Sequence, residues 1–399
     1  MFQRAFELDS FLARKSVFLF GPRQTGKTTF LKQTYPNAML INLLSSADYR
    51  ELLSHPENLE KRILFQMESS TRKKSDLFLV IIDEIQKVPE LLDSVHDLIE
   101  KHKNLRFVLT GSSPRKLKRM GANMLGGRAG LMPVHPITSL ELKSEKSVRT
   151  WRDFMLCGSL PSILNSKAPF EDLEDYLTTY LKEEIDDEGI SRSIAGFSRF
   201  LNFAALRIGE QLNFTSLASD AQLPPALVKE YFQILSDTLI GHIVPPFDQT
   251  KKRKAMMSAK FYFFDLGVAN AIIKRRSVPE HSVEWGNVLE NLIHNEIRAY
   301  LDYKRVKKTI QFWRSTSKLE VDFVIWDEIN LRDLIAIEVK STVNPTLRLC
   351  NGLLALQEEF PKLKKILLCQ CPAPMKLGGD IQVLPIDFFL DKLWAGDFF

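Results

Sequence analysis

The sequence has few cysteines, no long apolar run and no large excess of either charge. Its 399 residues include 4 cysteines, and 54 Lys and Arg stand against 49 Asp and Glu. So few cysteines argue against a disulfide framework and fit a reducing compartment. The longest apolar run, Leu77 to Ile82, is far shorter than the roughly 18 residues that a membrane helix needs. Arg4, Glu7 and Asp9 interrupt what would be the core of a secretion signal, so we expect a cytoplasmic protein without a membrane segment.

The composition is that of a folded protein with two or three domains. Hydrophobic residues make up 45% of the chain and charged residues 26%, which excludes wholesale disorder. Residues 248–310 depart from the charge balance, because they carry 13 Lys and Arg against 7 Asp and Glu. Two explanations stay open for this basic region: a solvated face, or a surface that binds a polyanion such as DNA.

Strands and helices alternate over the first 140 residues. Four short apolar runs are typical of buried strands, and amphipathic segments between them favour helices. The strands are expected at 17–20, 39–43, 77–82 and 105–110, and the helices at 28–35, 54–69 and 90–102. Such alternation predicts an α/β domain with a doubly wound parallel sheet over residues 1–140.

A glycine-rich loop follows the first predicted strand and matches the pattern G-x-x-x-x-G-K-[ST]. The candidate ATP-binding residues of this loop and the start of its helix are Gly21, Pro22, Arg23, Gln24, Thr25, Gly26, Lys27, Thr28 and Thr29. The glycines let backbone N–H groups surround a phosphate, and the helix adds its positive N-terminal dipole. We expect Lys27 to contact the β- and γ-phosphates and the Thr28 hydroxyl to ligate Mg²⁺. A chance match is the alternative, but the strand before the loop and the helix after it favour the P-loop.

Two further strand ends complete the predicted ATP site. Asp83 would hold Mg²⁺ through water, and Glu84 would orient and deprotonate the attacking water. Thr110 and Ser112 would hydrogen-bond the γ-phosphate or the water, although both are also ordinary turn residues. Arg128 follows two glycines and is either an arginine finger or a surface arginine. As a finger it would act in cis, or in trans within a homo-oligomer.

At this point the sequence resembles the prokaryotic AAA-type ATPases whose C-terminal half is a domain of unassigned role. The resemblance rests on Gly21–Thr28, Asp83–Pro89 and Leu109–Ser113, and it continues at 158–161, 176–180 and 260–267. It implies Mg²⁺-dependent ATP hydrolysis, and it places Gln86 and Arg128 where that family carries signature polar residues. A GTPase is a weaker interpretation, because the sequence has no guanine-reading N-K-x-D motif.

The middle of the chain is predicted to be a helical connector, residues 141–195, followed by a winged-helix unit, residues 196–268. The basic run Lys251–Lys254 would lie on the wing and meet DNA phosphates. The predicted recognition helix at 227–235 offers only Lys229 as a cation, so docking to protein remains an alternative to reading DNA.

The last region, residues 275–399, resembles the restriction-endonuclease-like α/β fold. By this match Glu290 is an upstream helical carboxylate, Asp322 and Glu338 are ligands of a second Mg²⁺ or of Mn²⁺, and Lys340 is the catalytic lysine. Strand alternation places Glu338 and Lys340 on one face of their strand. An exposed ladder of ion pairs is the alternative.

Two functions follow from these predictions. The first is an ATPase whose hydrolysis is coupled to nucleic-acid binding or processing through residues 248–310. The alternative is an ATP-switched regulator or scaffold, in which a catalytically inactive nuclease-like domain acts through protein partners.

Overall fold

The structure is a computed structural model. It describes residues 2–70, 76–119, 124–145, 149–181 and 194–399. The chain divides into two compact units. The N-terminal unit contains residues 4–135 and 237–239, and the C-terminal unit consists chiefly of residues 136–236 and 240–399. Within the described ranges, none of the helices combines the length and the hydropathy needed to cross a bilayer.

The N-terminal unit is built on a five-stranded parallel sheet. Its strands are β1 (Ser16–Phe20), β2 (Met39–Asn42), β3 (Phe78–Asp83), β4 (Leu105–Gly111) and β5 (Ala129–Pro133), and their order is β2-β3-β4-β1-β5. Every neighbouring pair is parallel. β1 and β3 are buried along their whole length, as strands covered on both faces of a sheet must be. The prediction of a parallel α/β domain is therefore confirmed, whereas β5 was not expected.

Helices connect these strands and cover the sheet. They are α1 (Asp9–Leu12), α2 (Lys27–Thr34), α3 (Ser46–Ser54), α4 (Asn58–Ser69), α5 (Leu91–Lys101) and α6 (Arg115–Arg119). The helix expected at 54–69 is present as α4, but it begins four residues later than expected, at Asn58, and the preceding α3, which ends at Ser54, was not expected. Pro56 lies in the break, where its ring and missing amide hydrogen disfavour a continuous helix.

The C-terminal unit begins with a helical region. Its helices are α7 (Ser139–Ser144), α8 (Trp151–Cys157), α9 (Pro161–Leu164), α10 (Pro169–Tyr176), α11 (Ile194–Leu206), α12 (Phe214–Ala221), α13 (Pro225–Asp237) and α14 (Leu266–Ile272). Asp265 caps α14 by accepting the Val268 N–H, and it also accepts the Ser159 N–H at 2.7 Å. A Cβ on Gly158 would lie 2.1 Å from the Asp265 carboxylate, so this contact requires glycine.

A short hairpin follows α13. Strands β6 (Gly241–Val244) and β7 (Lys260–Phe263) pair antiparallel. Isolated bridges then connect Pro246 to Phe312 and Ala255 to Ser315, so the segment between the two strands runs beside the next sheet. The helix, helix and hairpin that the sequence indicates are present, and their assignment as a winged helix stays a prediction.

A six-stranded mixed sheet forms the rest of the C-terminal unit. Its elements are α15 (Val283–Lys304), β8 (Thr309–Arg314), β9 (Glu320–Asp327), β10 (Asn330–Val339), α16 (Asn351–Gln357), β11 (Lys364–Cys369), β12 (Met375–Leu377), β13 (Ile381–Pro385) and α17 (Ile386–Ala395). The strand order is β12-β13-β11-β10-β9-β8. β9 and β10 pair antiparallel in a register that places Ile337 beside Phe323. Asp322 and Glu338 are consequently neighbours, as the motif requires.

Candidate functional site

The glycine-rich loop lies between β1 and α2, at the carboxyl edge of the parallel sheet. A Cβ on Gly21 would lie 2.3 Å from the Val134 carbonyl oxygen, and Gly26 has a φ of +88°. Both positions therefore require glycine for the tight curl of the loop. Arg4 supports the loop from outside, because its guanidinium donates hydrogen bonds of 2.7 Å to the carbonyls of Thr25 and His135.

Lys27 lies inside the curve of this loop. Its side chain is buried, and its Nζ donates hydrogen bonds of 2.7 Å to the Gly21 carbonyl and 3.0 Å to the Pro22 carbonyl. Thr25 is also buried and donates a 2.8 Å bond to the Pro22 carbonyl. The loop thus holds a positive charge at its centre, as binding of an anion requires. Of the other loop residues, Arg23 is half-buried, and Gln24 and Thr29 are exposed.

Asp83 is the centre of a hydrogen-bond network that spans three strand ends. The Thr28 hydroxyl donates to both oxygens of the Asp83 carboxylate, at 2.8 and 3.1 Å. The Thr110 hydroxyl donates to the same carboxylate and accepts the Glu84 N–H at 3.1 Å. A hydroxyl next to a carboxylate is a set of hard oxygen donors that fits Mg²⁺, with the remaining ligands coming from phosphate and water.

Glu84 has a strained backbone, and its carboxylate contacts the side chain of Gln86. Its φ of +64° and ψ of +47° are left-handed, which costs a residue other than glycine about 1–2 kcal/mol. The Gln86 amide donates to the Glu84 carboxylate and makes a longer contact of 3.5 Å with the Ser112 hydroxyl. Gly111 permits this packing, because a Cβ there would lie 2.5 Å from the Gln86 Oε1. The structure thus connects Glu84 with two further residues that the sequence marked, Gln86 and Ser112.

Arg128 does not reach this network. Its carbonyl accepts the Ser16 N–H at 3.2 Å, which places it at the amino edge of β1, and its side chain pairs with Glu100. The loop begins at the other end of this strand, about 16 Å away at 3.3 Å a residue. The expectation of an arginine finger in cis is therefore wrong for this structure, because the five residues of β1 separate Arg128 from the loop.

The four residues of the predicted nuclease site do converge in the C-terminal unit. The Lys340 Nζ contacts the carboxylate of Glu338 and lies 3.8 Å from that of Asp322. Asp322 accepts the Val339 N–H at 2.8 Å. Glu290, on α15, is connected to Asp322 through Lys260, a residue that the sequence prediction did not include. Lys260 on β7 lies 2.7 Å from the Glu290 carboxylate and 3.5 Å from that of Asp322.

Lys260 also contacts Glu320, at 2.6 Å, and Tyr262 donates its hydroxyl hydrogen to Glu290. The group of Lys260, Tyr262, Glu290, Glu320, Asp322, Glu338 and Lys340 is called the acidic cluster below. One signal for Lys260 was present in the sequence, because a lysine that begins a strand of aromatic residues is buried with them and needs a partner. Its partners lie 30 to 62 residues away, and no local pattern identifies them.

Burial and charge set the pKa values in the acidic cluster. Burial and the neighbouring Asp322 raise the pKa of Glu290 to about 7, against the opposing effect of Lys260. Burial and Asp322 also raise the pKa of Glu338 well above its usual value. Burial acts in the same direction on Asp322, but Lys340 and Lys260 outweigh it and hold the pKa of Asp322 below its usual value.

The acidic cluster does not have the arrangement of a metal site. Across the described parts of the chain, no three His, Cys, Asp or Glu side chains are grouped so that they could hold a metal ion. At the acidic cluster the carboxylates are turned towards Lys260 and Lys340 instead. A second Mg²⁺ or Mn²⁺ at this cluster therefore does not fit the residues as they are placed.

The basic run predicted to meet DNA is attached to two glutamates of the C-terminal sheet region. The Glu359 carboxylate accepts the backbone N–H groups of Lys251, Lys252 and Arg253. The Arg253 guanidinium pairs with Glu358 at 2.7 Å. Among the positive side chains of residues 248–310, Arg253, Lys260 and Arg276 are paired with carboxylates of the chain, whereas the side chain of Lys251 is exposed.

Three family models match successive parts of the chain. An AAA domain matches residues 13–143, one domain of unknown function (DUF8612) matches residues 148–279, and a second (DUF4143) matches residues 285–389. The first match agrees with the parallel sheet and the loop between β1 and α2. The N-terminal region is therefore similar to AAA-type P-loop ATPases, which suggests that it binds a nucleotide. The C-terminal match carries no assigned role.

Relatives of this chain occur in Mycobacterium and in Haemophilus. An uncharacterized protein of Mycobacterium tuberculosis is 23% identical over 339 residues, which cover 83% of this chain and 71% of the relative. A protein of Mycobacterium bovis matches to the same extent. An uncharacterized protein of Haemophilus influenzae is 20% identical over 370 residues, which cover 86% of each chain. The similarity thus extends beyond the AAA domain, and the names assign no activity.

Proposed function

We propose that the N-terminal unit binds Mg²⁺·ATP and hydrolyses it to ADP and phosphate. The observation that carries this proposal is the joint position of Lys27, Thr28 and Asp83. Lys27 lies inside the loop, and the Thr28 hydroxyl donates a 2.8 Å hydrogen bond to Asp83 where the loop passes into α2. A glycine turn that merely joined a strand to a helix would need neither a buried lysine nor this paired hydroxyl and carboxylate.

Each of these groups has a distinct task in binding. Backbone N–H groups of the loop and the N-terminus of α2 would bind phosphate oxygens, and Lys27 would exchange its carbonyl partners for the β- and γ-phosphates. Thr28 and Asp83 would hold Mg²⁺, directly and through water. When bound, Mg²⁺ offsets the negative charge that develops on the phosphates. Thr110 keeps the Asp83 carboxylate oriented towards Thr28.

Glu84 is the proposed general base. Its carboxylate would accept a proton from water while the water oxygen attacks the γ-phosphorus and the bond to the ADP oxygen breaks. The Gln86 amide holds this carboxylate in place through its hydrogen bond. Ser112, near Gln86 at the end of β4, would orient the water or the γ-phosphate.

Phosphate release by the purified chain, measured with Mg²⁺ and ATP, tests the proposal. We expect Lys27→Ala to abolish hydrolysis, because the charge inside the loop is lost. Lys32→Ala is the matched control, because Lys32 lies on the same helix and is exposed. A rate of phosphate release in Lys27→Ala equal to that of the wild type, with the control also active, would contradict the proposal.

A second candidate function is coupling of this hydrolysis to nucleic acid. The net positive charge of residues 248–310 favours it, while the ion pair of Arg253 with Glu358 and the Glu359 carboxylate beside the basic run reduce the net charge available to DNA. Binding of duplex DNA, followed by fluorescence anisotropy at rising salt with and without ATP, tests it. Affinity that falls steeply with salt supports the coupling, because phosphate contacts release counterions.

The alternative is an ATP-switched regulator with an inactive nuclease-like domain, and the ion pairs of the acidic cluster favour it. Plasmid DNA incubated with ATP and Mg²⁺ or Mn²⁺ discriminates between the two functions. Cleavage by the wild type that is lost in Asp322→Ala/Lys340→Ala favours processing of nucleic acid. Intact plasmid under every condition favours the regulator.

A further inference from the structure

Lys260 occupies the centre of the acidic cluster. Its Nζ lies 2.7 Å from Glu290, 2.6 Å from Glu320 and 3.5 Å from Asp322, and only 2% of the residue is exposed. These carboxylates come from a helix and a strand of the C-terminal sheet region, whereas Lys260 comes from the hairpin that precedes it. One ammonium group therefore joins carboxylates that are 30 to 62 residues away in the chain.

The formal charges of this region nearly balance without any ion from solvent. Four carboxylates face three positive side chains, because Arg314 also pairs with Glu320 at 3.1 Å. Glu290, Glu320, Asp322 and Glu338 supply the negative charges, and Lys260 and Lys340 supply the other two positive charges. One formal negative charge is left. A divalent cation would turn this into an excess of positive charge in a buried site, which is costly.

Space leads to the same result as charge. Mg²⁺ or Mn²⁺ would need carboxylate oxygens at roughly 2.0–2.3 Å around one point. The point shared by Glu290, Glu320 and Asp322 is taken by the Lys260 Nζ. The Phe312 ring lies 5.4 Å from this nitrogen and forms an apolar wall beside it. A metal and the lysine therefore exclude each other.

We infer that Lys260 is the resident cation of the acidic cluster and closes a latent divalent-metal site. Removal of the ammonium would leave Glu290, Glu320 and Asp322 around one point without the positive charge that they share, and a divalent cation could then supply that charge, whereas the wild-type chain takes up no metal there. Glu338 gives a second indication. Its Oε2 is buried, and none of the described residues hydrogen-bonds it, so one oxygen that could serve as a ligand remains uncommitted. The inference is independent of ATP hydrolysis in the N-terminal unit.

Binding of Mn²⁺ to the full chain without nucleotide, followed by electron paramagnetic resonance, tests this inference. Four proteins are compared: wild type, Asp322→Asn, Lys260→Ala and Lys260→Ala/Asp322→Asn. The signal of Asp322→Asn is subtracted from that of wild type, and the signal of Lys260→Ala/Asp322→Asn from that of Lys260→Ala. Each difference removes manganese that is bound elsewhere, including at Asp83. We expect no Asp322-dependent manganese in wild type and a gain of one manganese per chain in Lys260→Ala. Lys260→Arg, which keeps the charge, should behave as wild type.

Two results of the binding measurement would overturn the inference. The first is manganese in the wild type that disappears in Asp322→Asn. The second is a folded Lys260→Ala that takes up no Asp322-dependent manganese at millimolar concentration. If Lys260→Ala does not fold alone, circular dichroism with Mn²⁺ replaces the binding measurement. Recovery of the fold by Mn²⁺, absent in the double variant, supports the latent site, and failure to recover contradicts it.

Discussion

The hydroxyl of Thr28 donates a 2.8 Å hydrogen bond to the carboxylate of Asp83, which lies 55 residues further along the chain. Thr28 lies in the first turn of α2, and Asp83 ends β3, which is two strands away from β1 in the sheet. The contact depends on the parallel direction of all the strands, because that direction brings their carboxyl ends to one edge. It locates the proposed Mg²⁺ site and yields the first prediction.

Asp83→Asn should lower the rate of ATP hydrolysis by about 10²-fold or more, since the charge stabilisation that a catalytic metal provides is worth several kcal/mol. The amide keeps the shape of the side chain but removes its negative charge. Phosphate release measured over a range of Mg²⁺ concentrations checks this prediction, and the Mg²⁺ dependence should shift to higher concentration. Asp93→Asn, at an exposed position on α5, is the matched control. An unchanged Mg²⁺ dependence would contradict the role of Asp83.

Glu84→Gln should bind ATP and hydrolyse it about 10²- to 10⁴-fold more slowly, because general-base catalysis contributes a factor of that size. Binding of a fluorescent ATP analogue and single-turnover hydrolysis separate the two effects. Glu90→Gln, another exposed position, should leave both unchanged. Loss of nucleotide binding in Glu84→Gln would assign this carboxylate to the loop's architecture rather than to the chemistry.

Thr110→Val should destabilise the N-terminal unit by about 1–3 kcal/mol, because the Glu84 N–H then loses its acceptor and Asp83 loses a donor. Thr110→Ser keeps the hydroxyl and should remain close to wild type in both stability and hydrolysis. Calorimetric unfolding of the three proteins measures the difference. An equal loss of stability in the valine and serine variants would contradict the role of the two hydrogen bonds.

The stability of the C-terminal unit should depend on pH through Glu296. Burial raises the pKa of this carboxyl to about 7 from 4.5, although it accepts hydrogen bonds from Ser139 and Trp394. The folded protein thus takes up the proton at a higher pH than the unfolded chain. The stability contributed by this group therefore rises as the pH falls from about 7 towards 4.5, and it is lost as the pH rises through 7.

Unfolding temperatures of wild type and Glu296→Gln, measured by calorimetry between these pH values, check the effect. The unfolding temperature of the wild type should rise relative to that of the variant as the pH falls. The variant itself should be less stable by about 1–3 kcal/mol, because an amide cannot satisfy all of the donors that face it. A difference between the two proteins that does not change with pH would contradict the raised pKa.

The order of strand, loop and helix at the proposed nucleotide site could be predicted from the sequence because its determinants are local. Loop, strand and helix follow one another within residues 16–34, and each strand end in a parallel sheet reaches the same edge. Arg128 was misplaced for the opposite reason. It precedes β5, whose Ala-Gly-Leu-Met-Pro sequence has weak strand propensity, and only the strand shows that Arg128 stands at a strand start.

The acidic cluster shows what a motif leaves out. The alternation of side chains along the two predicted strands was sufficient to predict that Asp322, Glu338 and Lys340 lie close together. Lys260 was missed because its position depends on how β7 packs against a distant helix and strand, which no periodicity within a short strand reveals. The predicted chemistry therefore changed on account of one residue that lies outside the motif.

The salt bridges of Lys260 also determine how this protein can be divided. The boundary between the two matched regions of unknown function falls between residues 279 and 285, after Lys260 but before Glu290. A fragment that begins at this boundary would keep the four carboxylates of the acidic cluster and lose Lys260, one of the three positive side chains that face them. The regions that sequence comparison separates thus share one electrostatic core, and we expect a fragment that includes the hairpin to be more stable than one that begins after it.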